Sequence, residues 1–229
     1  MVRAIIIEHD RLSTPERVGE HLESLGVELE PFVVVDDIED PEVTVSFPDP
    51  DGWDLVVLMG APWSAYDPRL RGWVGPELEF VRRHLDRGTP TLGICFGAQI
   101  MSASLGGTVS PSPRPEYGWG TIESDEPAIA SGPWFQYHGD EFSLPEGAAP
   151  LASNASGLQA FGFGRSLAVQ FHPEVTPSLL ESWCAVGGDR KLIEVGLDPG
   201  ELIEETTHMA RASQAALERM IDWWVDGFD

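Results

Sequence analysis

The stretch Thr91-Leu92-Gly93-Ile94-Cys95-Phe96-Gly97-Ala98-Gln99 decides how the rest of the chain is organised. A β-prone run over residues 89–94 leads into Cys95, and residues 98–105 read as the start of a helix. A nucleophile on a sharp strand-to-helix turn needs small neighbours, because the turn is strained and adjacent backbone passes close. Gly93 and Gly97 meet that need on either side of Cys95, with cysteine where serine commonly stands. With 24 glycines in 229 residues, a given cysteine would have both flanks by chance roughly one time in a hundred. A nucleophile also needs a base, a group to orient it and donors for the developing oxyanion.

Working outward, residues 4–8 form a compact β-branched strand, and residues 15–25 a helix with Thr14 as its cap and Pro15 at its first position. Residues 27–35 form a second strand whose Pro31 argues for a sheet edge. Residues 36–51 are an acidic, proline-bearing connection. The continuous apolar run 55–59 predicts a strand buried on both faces. A loop rich in Pro, Gly and Trp spans 60–73. A helix over 76–87 follows, with Leu78, Val81 and Leu85 at helical spacing. This alternation predicts an α/β fold, a three-layer sandwich around a mainly parallel sheet. Ligands then gather at the carboxyl ends of the strands, where the Gly60 loop and Cys95 both fall.

After residue 106 the pattern changes to short β segments at 107–110, 120–123, 157–161 and 166–171, which predict a small antiparallel extension returning a strand to the sheet edge. Helices over 175–183 and 201–225 close the chain. The expectation is a single domain over 1–229, with a helical C-terminal segment from about residue 200.

Composition narrows the function class. A 42% apolar share provides for a folded core, and no apolar run approaches the roughly 20 residues a bilayer span requires. The N-terminus reads as a strand rather than a signal peptide, so the expected location is cytoplasmic. The two cysteines, Cys95 and Cys184, suit a reduced compartment better than a disulfide, and Cys184 reads as a small buried hydrophobe. A formal net charge of −24 repels phosphate backbones and anionic lipid, which disfavours nucleic acid and membranes as partners. The six histidines show no zinc-ligand spacing with cysteine.

The base and its orienter are found in Gln170-Phe171-His172-Pro173-Glu174. An extended backbone puts His172 and Glu174 on one face, and Pro173 biases His172 towards that conformation. Histidine can activate the thiol while glutamate holds its tautomer. His9, Asp10 and Glu116 read as structural, His138 and Asp140 as site-rim or structural groups. Trp63, Tyr66 and Trp73 are exposed-looking aromatics that suit a pocket, a partner surface or the core equally.

GICFGAQ together with QFHPE resembles the class I glutamine amidotransferases of the Cys-His-Glu type. The resemblance extends through MGAPWSAYD (59–67), EYGWG (116–120) and YHGDEFSLPEGA (137–148), and is most similar to the stand-alone, GMP-synthase-like members. It implies the flavodoxin-like fold of that family. It also implies Cys95 as nucleophile, His172 as base and acid, and Glu174 as orienter. The backbone N–H groups of Phe96 and of the Gly60-Ala61 turn would form the oxyanion hole, with Gln99 holding substrate. Glutamine would be cleaved through a γ-glutamyl thioester on Cys95, with no metal or organic cofactor. Fewer than fifty residues follow Trp183, too few for a nucleotide-binding fold, so an acceptor synthetase subunit is the expected partner. Two alternatives remain: a self-sufficient hydrolase of γ-glutamyl amides, and a non-catalytic regulatory or binding subunit. One residue departs from the family pattern, since Ala61 stands where a second glycine is usual. If that position needs a positive φ, alanine is strained and the oxyanion donor misplaced; otherwise nothing is lost.

Overall fold

A computed structural model describes residues 2–129 and 132–227. Seven strands form the main sheet. In chain order they are β1 (Val2–Asp10), β2 (Val27–Val35), β3 (Leu55–Leu58), β4 (Thr91–Ile94), and then β7 (Ala149–Asn154), β8 (Gly157–Phe163) and β9 (Ser166–Val169). Their spatial order is β2-β1-β3-β4-β9-β8-β7. Pairings from β2 to β9 are parallel, whereas β9-β8 and β8-β7 are antiparallel. Pro31 lies on the edge strand β2, where a missing backbone donor is tolerated. A separate antiparallel ribbon pairs β5 (Val109–Gly120) with β6 (Trp134–Phe142). The three-layer, mainly parallel architecture with its antiparallel addition is therefore the observed one. The ribbon is longer than the short segments expected, and β6 and β7 were not foreseen as strands.

Alternation along the central strands sorts the core into two layers. Ala4 and Ile6 of β1 pack on Val18 and Leu22 of α1 (Glu16–Ser24) and on Leu217, Met220 and Ile221 of α6 (Pro199–Asp226). Ile5 and Ile7 face the other way, onto Phe80 and Val81 of α2 (Val74–Asp86) and Ile100 and Met101 of α3 (Phe96–Ser104). All four residues of β3 and all four of β4 are buried, as strands covered on both faces must be.

Helix ends follow their caps. The α6 helix begins where the Asp198 carboxylate accepts from the Glu201 N–H, and ends at Gly227 with φ 89°. The α4 helix (Pro177–Trp183) begins where Thr176 Oγ1 accepts from the Leu179 N–H. At α1 the cap position is Pro15 rather than Thr14, whose hydroxyl donates instead to Glu16. The α5 helix (Asp189–Glu194) follows an irregular turn over Cys184–Gly188. Arg17 of α1 is buried and donates to the carbonyls of Val175 and Ala210 and to Ser213 Oγ, tying α1 and α6 to the segment after the His172 motif. Trp73, one of the exposed-looking aromatics, is fully buried; Trp63 is half-buried and Tyr66 exposed. Both cysteines are free, and Cys184 is only half-buried rather than buried. Among the described residues, no helix is long and apolar enough to cross a membrane.

Candidate active site

Three adjacent parallel strands deliver the site. β3 runs out into Met59-Gly60-Ala61, β4 into Cys95 and β9 into Gln170-Phe171-His172. The carboxyl ends of neighbouring parallel strands lie side by side, so these segments meet although they are far apart in sequence. Gly60, Ala61, Cys95, Phe96, Gln99, His172 and Glu174 all line one cavity of about 460 Å³.

Cys95 caps α3 with φ 51° and ψ −105°, one of two non-glycine residues with positive φ among the described residues. A non-glycine residue held in this backbone conformation costs of order 1–3 kcal/mol and persists only where its surroundings enforce it. Here they do. The Cys95 N–H donates to the Val169 carbonyl at 2.8 Å, and the Gly97 N–H to the Met59 carbonyl at 3.1 Å. Both flanking glycines are required by space. A Cβ on Gly93 would lie 2.5 Å from Met101 Sδ and 2.7 Å from the Gly97 carbonyl oxygen, and one on Gly97 would overlap the Leu58 carbonyl.

His172 Nδ1 lies 2.7 Å from Glu174 Oε1, with both side chains buried. The backbone between them is not the continuous strand expected. His172 makes one isolated bridge, its N–H donating to the Phe135 carbonyl at 2.8 Å, and the chain then turns. Pro173 has no N–H with which to prolong the ladder. The ring is also held edge-on against Trp183, at 5.1 Å between centroids. Its Nε2 is buried without a hydrogen-bond partner among the described residues. Burial alone would lower the pKa of His172, but the charges of Glu174 and Cys95 outweigh it and push the value up to about 10. A Cβ built on Gly60 would lie 3.1 Å from His172 Cε1 and 3.9 Å from Cys95 Cβ, so ring and cysteine flank the same point of the loop. A cysteine beside a histidine that a carboxylate orients is an arrangement able to attack a carbonyl carbon and then protonate the leaving group.

The open question at Ala61 is resolved by the backbone: neither Gly60 nor Ala61 has a positive φ, so alanine fits without strain. The glycine that space demands is Gly60, where a Cβ would lie 3.1 Å from His172 Cε1. Among the described residues, neither the Ala61 N–H nor the Phe96 N–H donates a hydrogen bond, and both residues border the cavity. Gln99 is buried, with its Nε2 3.4 Å from Gln170 Oε1, and Gln170 Nε2 lies 3.5 Å from Cys95 Sγ. Gln170 opens the QFHPE motif, but nothing in its sequence position marks it as part of the site; only its contact with the sulfur singles it out.

His138 and Asp140 stand in the cavity wall, as expected of rim residues. His138 Nε2 is 3.3 Å from Glu116 Oε2, and Glu116 accepts from Asn154 and Gln159. Tyr66 donates to Asp140 Oδ1 at 2.8 Å, linking the loop after β3 to the ribbon. Lys191 of α5, the one lysine in the chain, also borders the cavity.

A cysteine on a strand-to-helix elbow beside a histidine–glutamate pair, on a parallel sheet, is the layout of an enzyme that transfers acyl groups through a thiol. Comparison with known proteins narrows this class. The family described as glutamine amidotransferase class-I matches residues 13–183. A glutamine-hydrolysing GMP synthase of Thermomicrobium roseum is 37% identical over 139 residues, covering 56% of this chain and 24% of that protein. The enzyme of the same name from Mycobacterium bovis is 40% identical over 134 residues, covering 52% and 23%. The chain thus matches only about a quarter of the length of these relatives. A crystal structure of a glutamine amidotransferase from Thermotoga maritima superposes with a TM-score of 0.82 at 25% identity, covering 98% of both chains. The chain belongs to the class I glutamine amidotransferases.

Proposed function

We propose that this protein hydrolyses the side-chain amide of glutamine on Cys95, within a single amidotransferase domain, and releases ammonia for an acceptor carried by a synthetase partner. The observation that carries the reading is the convergence of Cys95, the buried unpaired Nε2 of His172 and Glu174 in one cavity. The Cys95 thiolate attacks the amide carbon, and the oxyanion forms against the Ala61 and Phe96 N–H groups. Preorganised donors of this kind are worth about 3 kcal/mol each. His172 protonates the departing nitrogen, the C–N bond breaks and a γ-glutamyl thioester remains. Water, deprotonated by His172, then cleaves the thioester to glutamate and restores the thiol. Glu174 keeps the imidazole in one tautomer throughout. Gln99, with Gln170, holds the substrate beside the sulfur.

The relatives' name, glutamine-hydrolysing GMP synthase, supports a synthetase as the consumer of the ammonia. A second reading, hydrolysis of γ-glutamyl amides without a partner, is favoured by one feature. The cavity of about 460 Å³ leaves space beyond a glutamine side chain, bordered by Lys191, Tyr117 and Asp140. Glutamate release from glutamine and from a panel of γ-glutamyl amides, beside Cys95→Ala, separates the readings. Turnover of glutamine supports the first, and fast turnover of a substituted amide alone supports the second. Absence of any turnover or of Cys95 labelling by a glutamine-analogue electrophile, with a synthetase added, would refute both.

A further inference from the structure

Behind the loop that carries the proposed oxyanion donor lies a second histidine–glutamate pair, on the side away from the cavity. His9, at the carboxyl end of β1, is fully buried, and so is Glu77 on α2. His9 Nε2 lies 2.8 Å from Glu77 Oε1, and His9 Nδ1 lies 3.0 Å from the Gly60 carbonyl oxygen. The ring is clamped edge-on against Phe96 at 4.7 Å and tilted on Trp73 at 5.8 Å. His9 does not border the cavity, so it touches neither substrate nor sulfur.

The hydrogen-bond inventory fixes the protons. A carbonyl oxygen only accepts, so Nδ1 must carry a hydrogen. Whether the proton between Nε2 and Glu77 sits on the ring or on the carboxyl group, Nδ1 remains a donor. The Gly60 carbonyl thus fixes the Nδ1 proton, and Glu77 anchors the other ring nitrogen and with it the ring's orientation. Burial would lower the His9 pKa, but Glu77 first and the Gly60 carbonyl next raise it above its ordinary value. The Gly60 carbonyl and the Ala61 N–H belong to one trans peptide plane and point in opposite directions. Holding the carbonyl towards the core turns the N–H towards the cavity, where it makes no competing hydrogen bond. A carbonyl that accepts a strong hydrogen bond also polarises its peptide and strengthens the opposite N–H as a donor.

We infer that His9, fixed by Glu77, is a positioning residue that locks the Gly60-Ala61 peptide with its N–H aimed at the oxyanion. This rests on reading the site as a thiol-dependent amidase. Three proteins test it: wild type, His9→Leu and His9→Asn. Asparagine places an amide N–H near the position of Nδ1 and can restore the bond to Gly60, whereas leucine cannot. His9→Leu is expected to lower kcat for glutamine by about 10–100-fold with KM nearly unchanged. Its rate of Cys95 alkylation by iodoacetamide, which needs the thiolate but no oxyanion hole, should stay near wild type. His9→Asn is expected to recover most of the lost kcat. The 13C shift of the Gly60 carbonyl, read by NMR, should move in His9→Leu and return in His9→Asn. Unchanged kcat and unchanged carbonyl shift in a folded His9→Leu would overturn the inference, as would His9→Asn performing no better than His9→Leu. If wild type with a synthetase added turns over no amide, the amidase reading fails independently of this one. The carbonyl shift then still decides whether His9 holds the peptide.

Discussion

Gly60→Ala tests the geometry of the site at one atom. The added Cβ would lie 3.1 Å from His172 Cε1, 3.8 Å from Nδ1 and 3.9 Å from Cys95 Cβ. Comfortable carbon–carbon contact needs about 3.5–4.0 Å, so the ring or the loop must yield by about half an ångström. The ring has little freedom, being held by Glu174 at 2.7 Å, by Trp183 and by its own backbone bond to Phe135. The loop is held by His9. Overpacking of this size costs about 1 kcal/mol or somewhat more, a fall of roughly 2–4 °C in Tm. The catalytic effect should exceed the stability effect. A displacement of a base by a fraction of an ångström to 1 Å lowers kcat by about 10–100-fold, with KM little changed. Steady-state glutamate release and thermal unfolding measure the two. Ala61→Gly is the matched control. Ala61 has no positive φ, so glycine there adds only unfolded-state freedom, costing about 0.5–1 kcal/mol and leaving kcat within about 2–3-fold. A folded Gly60→Ala protein with wild-type kcat, or an Ala61→Gly protein with the larger catalytic loss, would refute the reasoning.

Two further outcomes follow from the buried titrating groups. Glu174→Gln should lower kcat by about 100–10,000-fold and shift the alkaline limb of the kcat/KM profile to lower pH. Glu174 is among the charges that raise His172 to about 10, so its removal brings the loss of the imidazolium closer to neutrality; a limb that stays in place would contradict this. His84 on α2 is buried with neither ring nitrogen hydrogen-bonded among the described residues, and burial, aided by Arg87 and Arg83, pushes its pKa down to about 4. A depressed value means that its contribution to stability is present above the unfolded value near 6.5 and is lost as pH falls towards 4. Between pH 7 and pH 5, wild type should therefore lose about 1–2 kcal/mol more than His84→Leu in chemical denaturation. Parallel pH dependences would exclude this role for His84.

Much of the site was legible because its signals are local. Gly93 and Gly97 flank Cys95 at fixed offsets, since the steric demands of the elbow come from Met101 and Leu58 packed directly on it. His172 and Glu174 sit two residues apart and contact each other. The layered fold was legible for a similar reason: strand and helix periodicities record which faces are covered, as the opposite burial partners of Ile6 and Ile7 show. The β5-β6 ribbon was harder to see, because its register shifts between Pro111 and Glu116 and its strands carry several prolines and glycines.

What the residue string determined was the alternation of strands and helices through the first half of the chain and the local patterns around Cys95 and His172, all written in runs only a few residues long. What tertiary structure decided was which distant groups support that chemistry. His9 and Glu77 are 68 residues apart and His9 is 51 from Gly60, and nothing in the spacing of either pair announces the contact. The parallel order β1-β3-β4-β9 brings their strand ends and α2 together. The same packing shows that Gly60, rather than Ala61, is the position where an added Cβ would crowd the chain, because the neighbour it meets is the ring of His172, more than a hundred residues away.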